Sequence, residues 1–186
     1  METIPKKRLF SRKEYYQMAE TGILTCTDKT ELIRGEILIK SPSGAYHSSR
    51  IRKIDRLFSQ YVGDKAQTSV QSPVRLNDLS EPEPDFALLH FREDDYPHAH
   101  PGPEDILLLI EVSHSTYSFD KQVKIPLYAQ AGIPEVWILN LNTDQVEVFK
   151  RPVKGVYQEE SVLQPGQEIG FEALGCTIAV GDLVGS

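Results

Sequence analysis

Apolar residues recur at helical spacing in two stretches of the chain and at strand spacing in several others. Ile51, Ile54, Phe58, Tyr61 and Val62 form one stripe of a helix read over His47 to Val62, with Gly63 as its stop signal. Ser118 to Ala131 also reads as a helix, with Gly132 as its C-terminal cap. On it Val123 and Leu127 lie on one face, and Asp120, Lys124 and Tyr128 on another. Pro126, inside that span, predicts a kink or a late helix start. Ser11-Arg-Lys-Glu14 is a capping box that opens a short helix ending near Gly22. Glu31-Leu-Ile and Glu36-Ile-Leu-Ile flank Arg34-Gly35 and read as a hairpin. Ser41-Pro-Ser-Gly44 then breaks the chain.

The remaining pattern is that of a sheet. Ile106 to Val112 is an almost continuous apolar run of the kind buried on both faces. Phe86 to Leu89 and Val136 to Leu139 are shorter apolar strands, and Thr68 to Val74 also reads as a strand. A Pro-, His- and Asp-rich loop occupies Arg92 to Asp105. Asn142-Thr-Asp144 turns into a paired strand, Gln145 to Lys150, and the tail alternates short strands and Gly turns up to Val184. The order αββαβββαβ predicts an α/β domain with a mixed sheet.

Length fits one domain spanning residues 1–186, with its core over about 10–180. The longest apolar run is far too short to span a membrane. The N-terminal METIPKKRLFSRKEYYQM has basic residues but no apolar core after them, which argues against a signal peptide and for the cytoplasm. Cys26 and Cys176 have no CxxC or Cys/His spacing and are expected to be reduced thiols. No GxGxxG or P-loop is present, so no nucleotide cofactor is expected.

The net charge of −7 is unevenly spread: residues 1–76 carry +6, 77–120 carry −10 and 121–186 carry −3. Arg50, Arg52, Lys53 and Arg56 lie mostly off the apolar stripe of their helix, giving it a basic outer surface suited to a nucleic-acid backbone. The acidic middle is what a cation site needs, although a solvated loop accounts for part of it.

Within that middle, Glu111 is the sharpest anomaly. A carboxylate embedded in Ile106-Leu-Leu-Leu-Ile-Glu-Val-Ser is costly to bury unless it is paired or bound to a metal. The alternative is an edge strand with Glu111 in solvent. Asp85, at the mouth of the Phe86 strand in Glu83-Pro84-Asp85, is the natural partner if the two strands are neighbours. Two carboxylates and several waters suit Mg²⁺. Lys124, on the helix after the Glu111 strand, could reach back to stabilise phosphodiester transition-state charge. Asp120 is equally an N-cap or the i,i+4 partner of Lys124.

In these stretches the chain resembles a bacterial family of restriction-endonuclease-like proteins, formerly a domain of unknown function, within the PD-(D/E)XK nuclease superfamily. The resemblance rests on Glu31-Leu-Ile-Arg-Gly-Glu36, His47, Glu83-Pro-Asp-Phe86 and Ile110-Glu-Val-Ser113 with Ser115-Thr116. It continues through Phe119-Asp-Lys-Gln-Val-Lys124-Ile-Pro-Leu-Tyr128 and Ala131-Gly-Ile-Pro-Glu-Val-Trp-Ile138. It implies a restriction-endonuclease-like αβββαβ core with a central mixed sheet flanked by helices and extra hairpins. It also implies a Mg²⁺- or Mn²⁺-dependent endonuclease acting on DNA, with Asp85 and Glu111 as metal carboxylates. The superfamily's lysine lies two residues after that Glu, where this chain has Ser113. The resemblance moves the lysine to Lys124, with Lys121 as competitor. It makes Glu31 an additional acid near the metal and puts His47 at the start of the basic helix. A homodimer is expected, since cutting both strands is simplest for two-fold related sites.

Two other chemistries and a different class compete. Ser113-His114-Ser115-Thr116 has no G-x-S-x-G elbow, and a serine hydrolase is not expected. Pro97-His-Ala-His100-Pro, with His90, reads as a surface loop rather than a metal site. A catalytically inactive descendant, kept for nucleic-acid binding or dimerisation, is the alternative to an enzyme. Its mark would be loss of Asp85, Glu111 or Lys124, and all three are present.

Overall fold

The structure, a computed structural model, describes residues 6–25 and 27–185; Cys26 lies outside them. Ser11 caps the first helix, α1 (Arg12–Glu20). Its hydroxyl accepts the Glu14 N–H, and the Glu14 carboxylate accepts the Ser11 N–H in return. A hairpin follows, β1 (Thr30–Ile33) and β2 (Glu36–Ile39), paired antiparallel. Arg34 and Gly35 both have positive φ, 52° and 78°, the backbone of a tight primed turn. The hairpin is tied to the body of the protein by Gly35 N–H to Leu79 O and Glu81 N–H to Leu32 O.

Helix α2 (Ala45–Phe58) buries Ile51, Ile54 and Phe58. The chain then builds β3 (Ala66–Val70), β4 (Phe86–His90) and β5 (Ile106–Ser113), preceded by a short 3-10 turn at Pro103–Asp105. A helical connection runs from α3 (Tyr117–Phe119) through a π-helical turn at Asp120–Lys124 to α4 (Ile125–Ala131). Gly132, at φ 81°, ends it in the left-handed cap read from the sequence. β6 (Glu135–Asn140), β7 (Gln145–Val153) and β8 (Val156–Leu163) complete the main sheet. A second hairpin, β9 (Glu168–Phe171) with β10 (Cys176–Ala179), leads into α5 (Val180–Val184).

The six strands lie in the order β3-β4-β5-β6-β7-β8, and only the β5–β6 pair is parallel. The parallel pair is the one joined by the helical connection, as its geometry requires. The succession α2-β3-β4-β5-α4-β6 is the expected αβββαβ core. Strand alternation divides the interior. Phe86, Leu88, Leu108, Ile110, Trp137 and Leu139 pack under α2 and α5, where Phe58, Trp137 and Phe171 meet edge-on or tilted. Ala87, Leu89, Leu109, Val136 and Ile138 pack under Leu127 and Tyr128 of α4. Glu111 therefore shares its face with Leu109 and points to the α4 side.

Several expectations shift. The strand placed at Thr68–Val74 occupies Ala66–Val70, and Gln71, at φ 46°, turns the chain out of it. The single helix over 118–131 is interrupted by the π turn, because the Pro126 ring collides with the carbonyl four residues earlier and the helix widens there. The tail contains α5, a helix not anticipated, which buries Val180, Leu183 and Val184 against the α2 side of the sheet. Cys176 is a free, partly buried thiol. No helix among the described residues is long and apolar enough to cross a membrane.

Candidate active site

β4 and β5 run antiparallel with Phe86 opposite Ile110. One step further along this register sets Asp85 opposite Glu111, on the α4 face of the sheet. Residues directly opposite have Cβ atoms about 5 Å apart. A cleft of roughly 330 Å³ opens there, lined by Glu31, His47, Asp85, Glu111, Asp120 and Lys124 among others.

Each acid is held by the fold. Asp85 Oδ2 accepts the Val112 N–H at 2.9 Å and pairs with His47 Nε2 at 3.1 Å. Burial raises the Asp85 carboxyl, but the hydrogen bond and charge of His47, with the Val112 N–H, outweigh it and hold the group below its ordinary value. The same hydrogen bond raises the His47 imidazole. Glu111 Oε1 accepts the Tyr128 hydroxyl at 2.6 Å and faces Lys124 Nζ at 3.2 Å. Glu111 is only 2% exposed, and burial pushes its carboxyl up to about 8 despite Lys124. Lys124 also lies 3.3 Å from Glu31 Oε2. Burial opposes its charge, but Glu111, Glu31, Asp120 and Asp85 together keep it cationic and raise its pKa. Asp120 Oδ2 accepts Ser113 Oγ and Thr116 Oγ1, each at 2.7 Å, and burial pushes that carboxyl up.

One pattern runs through all four acids. In Glu31, Asp85, Glu111 and Asp120 one carboxylate oxygen takes all the protein hydrogen bonds found among the described residues, and the other accepts none there. Among those residues no group of three or more His, Cys, Asp or Glu side chains stands close enough to hold an ion alone. Asp85 and Glu111 are the two carboxylates of the cleft that could together hold a hard cation, with water needed to complete its shell.

The sequence-derived residues separate cleanly by position. Asp85, Glu111, Lys124, Glu31, His47 and Asp120 line the one cleft. Lys121 does not. Its ammonium pairs with Glu147 and, at 2.8 Å, with Glu160 on the β7–β8 surface. On α2, Arg52 and Arg56 are exposed. Arg50 and Lys53 instead donate to α5 carbonyls, Val184 O at 3.1 Å and Gly181 O at 3.4 Å. Tyr128, Ser113 and Thr116 were not read as site residues. Tyr128 did carry a signal, lying one turn beyond Lys124 on the same face. The Ser113 and Thr116 contacts depend on the bend after β5, which no periodicity reports.

A six-stranded mixed sheet, helices on both faces and an acidic cleft with a buried lysine at the β4–β5 end define a restriction-endonuclease-like fold. The chain belongs to the family described as "Uma2: Putative restriction endonuclease", whose model matches residues 12–181. Among solved structures, the fold is similar to that of a "putative nuclease belonging to DUF820" from Anabaena variabilis. The TM-score is 0.73 at 16% identity, covering 94% of this chain and 97% of that one. No curated protein matches the chain.

Proposed function

We propose that the chain is a divalent-metal-dependent endonuclease that hydrolyses DNA phosphodiester bonds, with Mg²⁺ or Mn²⁺ held by Asp85 and Glu111. The observation that carries this reading is the convergence of Asp85, Glu111 and Lys124 on one cleft from two strands and a helix. DNA as substrate follows the family's description as restriction endonucleases. The ion supplies Lewis-acid activation of the phosphodiester when bound. Asp85, kept ionised by His47 and the Val112 N–H, offers its free oxygen to the cleft at neutral pH. Lys124 places a permanent positive charge beside the position where the phosphorane oxygens gain negative charge. Its burial between Glu31 and Glu111 fixes that charge without a backbone anchor at the Ser113 position.

Purified protein should nick or cut plasmid DNA with Mg²⁺ or Mn²⁺ and lose that activity in EDTA. Asp85→Asn and Glu111→Gln should each abolish cutting with the fold retained by circular dichroism. Cutting by both variants at the wild-type rate would refute the assignment. A homodimer belongs to the proposal, because two-fold related sites cut both strands most simply. Sedimentation showing only monomer under cutting conditions would remove it.

A further inference from the structure

We infer that Tyr128 is a positioning residue for the metal site, turning Glu111 so that its free oxygen faces the cleft. This rests on the reading of Glu111 as a metal ligand. Tyr128 comes from α4, is fully buried, and donates its hydroxyl at 2.6 Å to Glu111 Oε1. Lys124 Nζ faces the same atom at 3.2 Å. The Tyr128 hydrogen bond and the Lys124 ion pair both fall on Oε1, and Oε2 accepts no protein hydrogen bond among the described residues. A carboxylate held through one oxygen by a buried hydrogen bond and a buried ion pair has its other oxygen turned in a restricted direction.

The burial of Tyr128 argues for a purpose beyond packing. A phenol wholly removed from solvent must find a partner for its O–H. A backbone carbonyl would serve, as Ile133 O does for the Tyr157 hydroxyl at 2.9 Å. Tyr128 instead spends its hydrogen bond on a site acid, from a helix position one turn after Lys124. Lys124 closes the π turn at Asp120–Lys124, and α4, which carries Tyr128, begins at the next residue. Groups that hydrogen-bond metal ligands typically contribute 10- to 100-fold to metal affinity.

The test is Mg²⁺ binding by isothermal titration calorimetry on the full chain without DNA, for wild type, Tyr128→Phe and Tyr157→Phe. Tyr128→Phe should bind Mg²⁺ about 10-fold or more weakly, and Tyr157→Phe like wild type. A thermal melt in EDTA checks that each variant is folded. Wild-type affinity in Tyr128→Phe overturns the inference and leaves the nuclease reading standing. Equal weakening in both variants also overturns it, since the effect would then be general loosening. Absence of Mg²⁺ binding by wild type overturns the nuclease reading, and this inference with it. A crystal of the wild-type protein soaked in Mg²⁺ gives a check independent of any variant's folding. Glu111 Oε2 on the ion with Tyr128 still on Oε1 supports the assignment, and Tyr128 detached from Glu111 overturns it.

Discussion

Lys124 Nζ lies 3.2 Å from Glu111 Oε1, and the pair is buried under the helix that delivers the lysine. An ammonium in such a place does two things. It lowers the cost of ionising a buried acid, and it holds positive charge at the cleft floor. Lys124→Ala should therefore slow DNA cleavage by about 100-fold or more, the usual cost of losing one transition-state donor. Lys121→Ala, which removes contacts to Glu147 and Glu160 outside the cleft, should leave the rate near wild type. Single-turnover plasmid cleavage separates the two, and the reverse ranking would move the catalytic lysine.

Much of this geometry is legible in the sequence. Glu111 stood out because a charge interrupts the most apolar strand of the chain, and strand alternation then dictates which face it takes. Asp85 followed from its place at a strand mouth, and Lys124 from the helix after β5. The His47–Asp85 contact was not legible, because it joins the first turn of α2 to a strand 38 residues away around the end of the sheet. The π turn was half legible: Pro126 announces a fault in the helix but not whether it kinks or widens. Helix α5 escaped because five residues rich in Val and Gly carry too little periodicity. Its existence redirects Arg50 and Lys53, which the helical pattern places on an outer basic surface.

With Glu111 as a ligand, the proposed metal binding should depend on pH. In the folded, metal-free protein, burial raises this group from the ordinary 4.5 to about 8. Below that pH the carboxyl holds a proton that an ion must displace, so affinity falls as pH falls and levels off above it. For one proton the slope is about tenfold per pH unit, or about 1.4 kcal/mol. Calorimetric Mg²⁺ titrations between about pH 6 and 9, repeated in buffers of different ionisation enthalpy, should show that slope and the released proton. An affinity flat across this range would mean that Glu111 is not a ligand.

The basic residues of α2 should divide into two kinds. Arg52 and Arg56 are exposed, so replacing either with Ala should weaken DNA binding evenly across sequences. Each loss should reduce the slope of log K against log salt by about 1, with no change in melting temperature. Arg50 donates to Val184 O at 3.1 Å and Lys53 to Gly181 O, which fastens α5 to α2. Arg50→Ala should instead destabilise the fold by about 1–3 kcal/mol, the range for a hydrogen bond to a charged group. A salt titration of binding and a denaturant melt on the same variants check both halves.

Gly35 links the hairpin turn to the cleft. It takes φ 78° in the turn that joins β1 to β2, and a Cβ there would come within 2.7 Å of Leu9 Cβ. Alanine therefore faces both an unfavourable backbone and a collision that only a shift of the N-terminal segment can relieve. Glu31, on β1, is the second acid paired with Lys124, at 3.3 Å. Gly35→Ala should cost more than about 1 kcal/mol in denaturant melts. It should also slow cleavage by displacing Glu31, while leaving Mg²⁺ affinity near wild type, because Asp85 and Glu111 lie on other strands. Loss of Mg²⁺ affinity in a folded Gly35→Ala protein would show instead that the hairpin itself contributes a metal ligand, with Glu31 as the residue to examine.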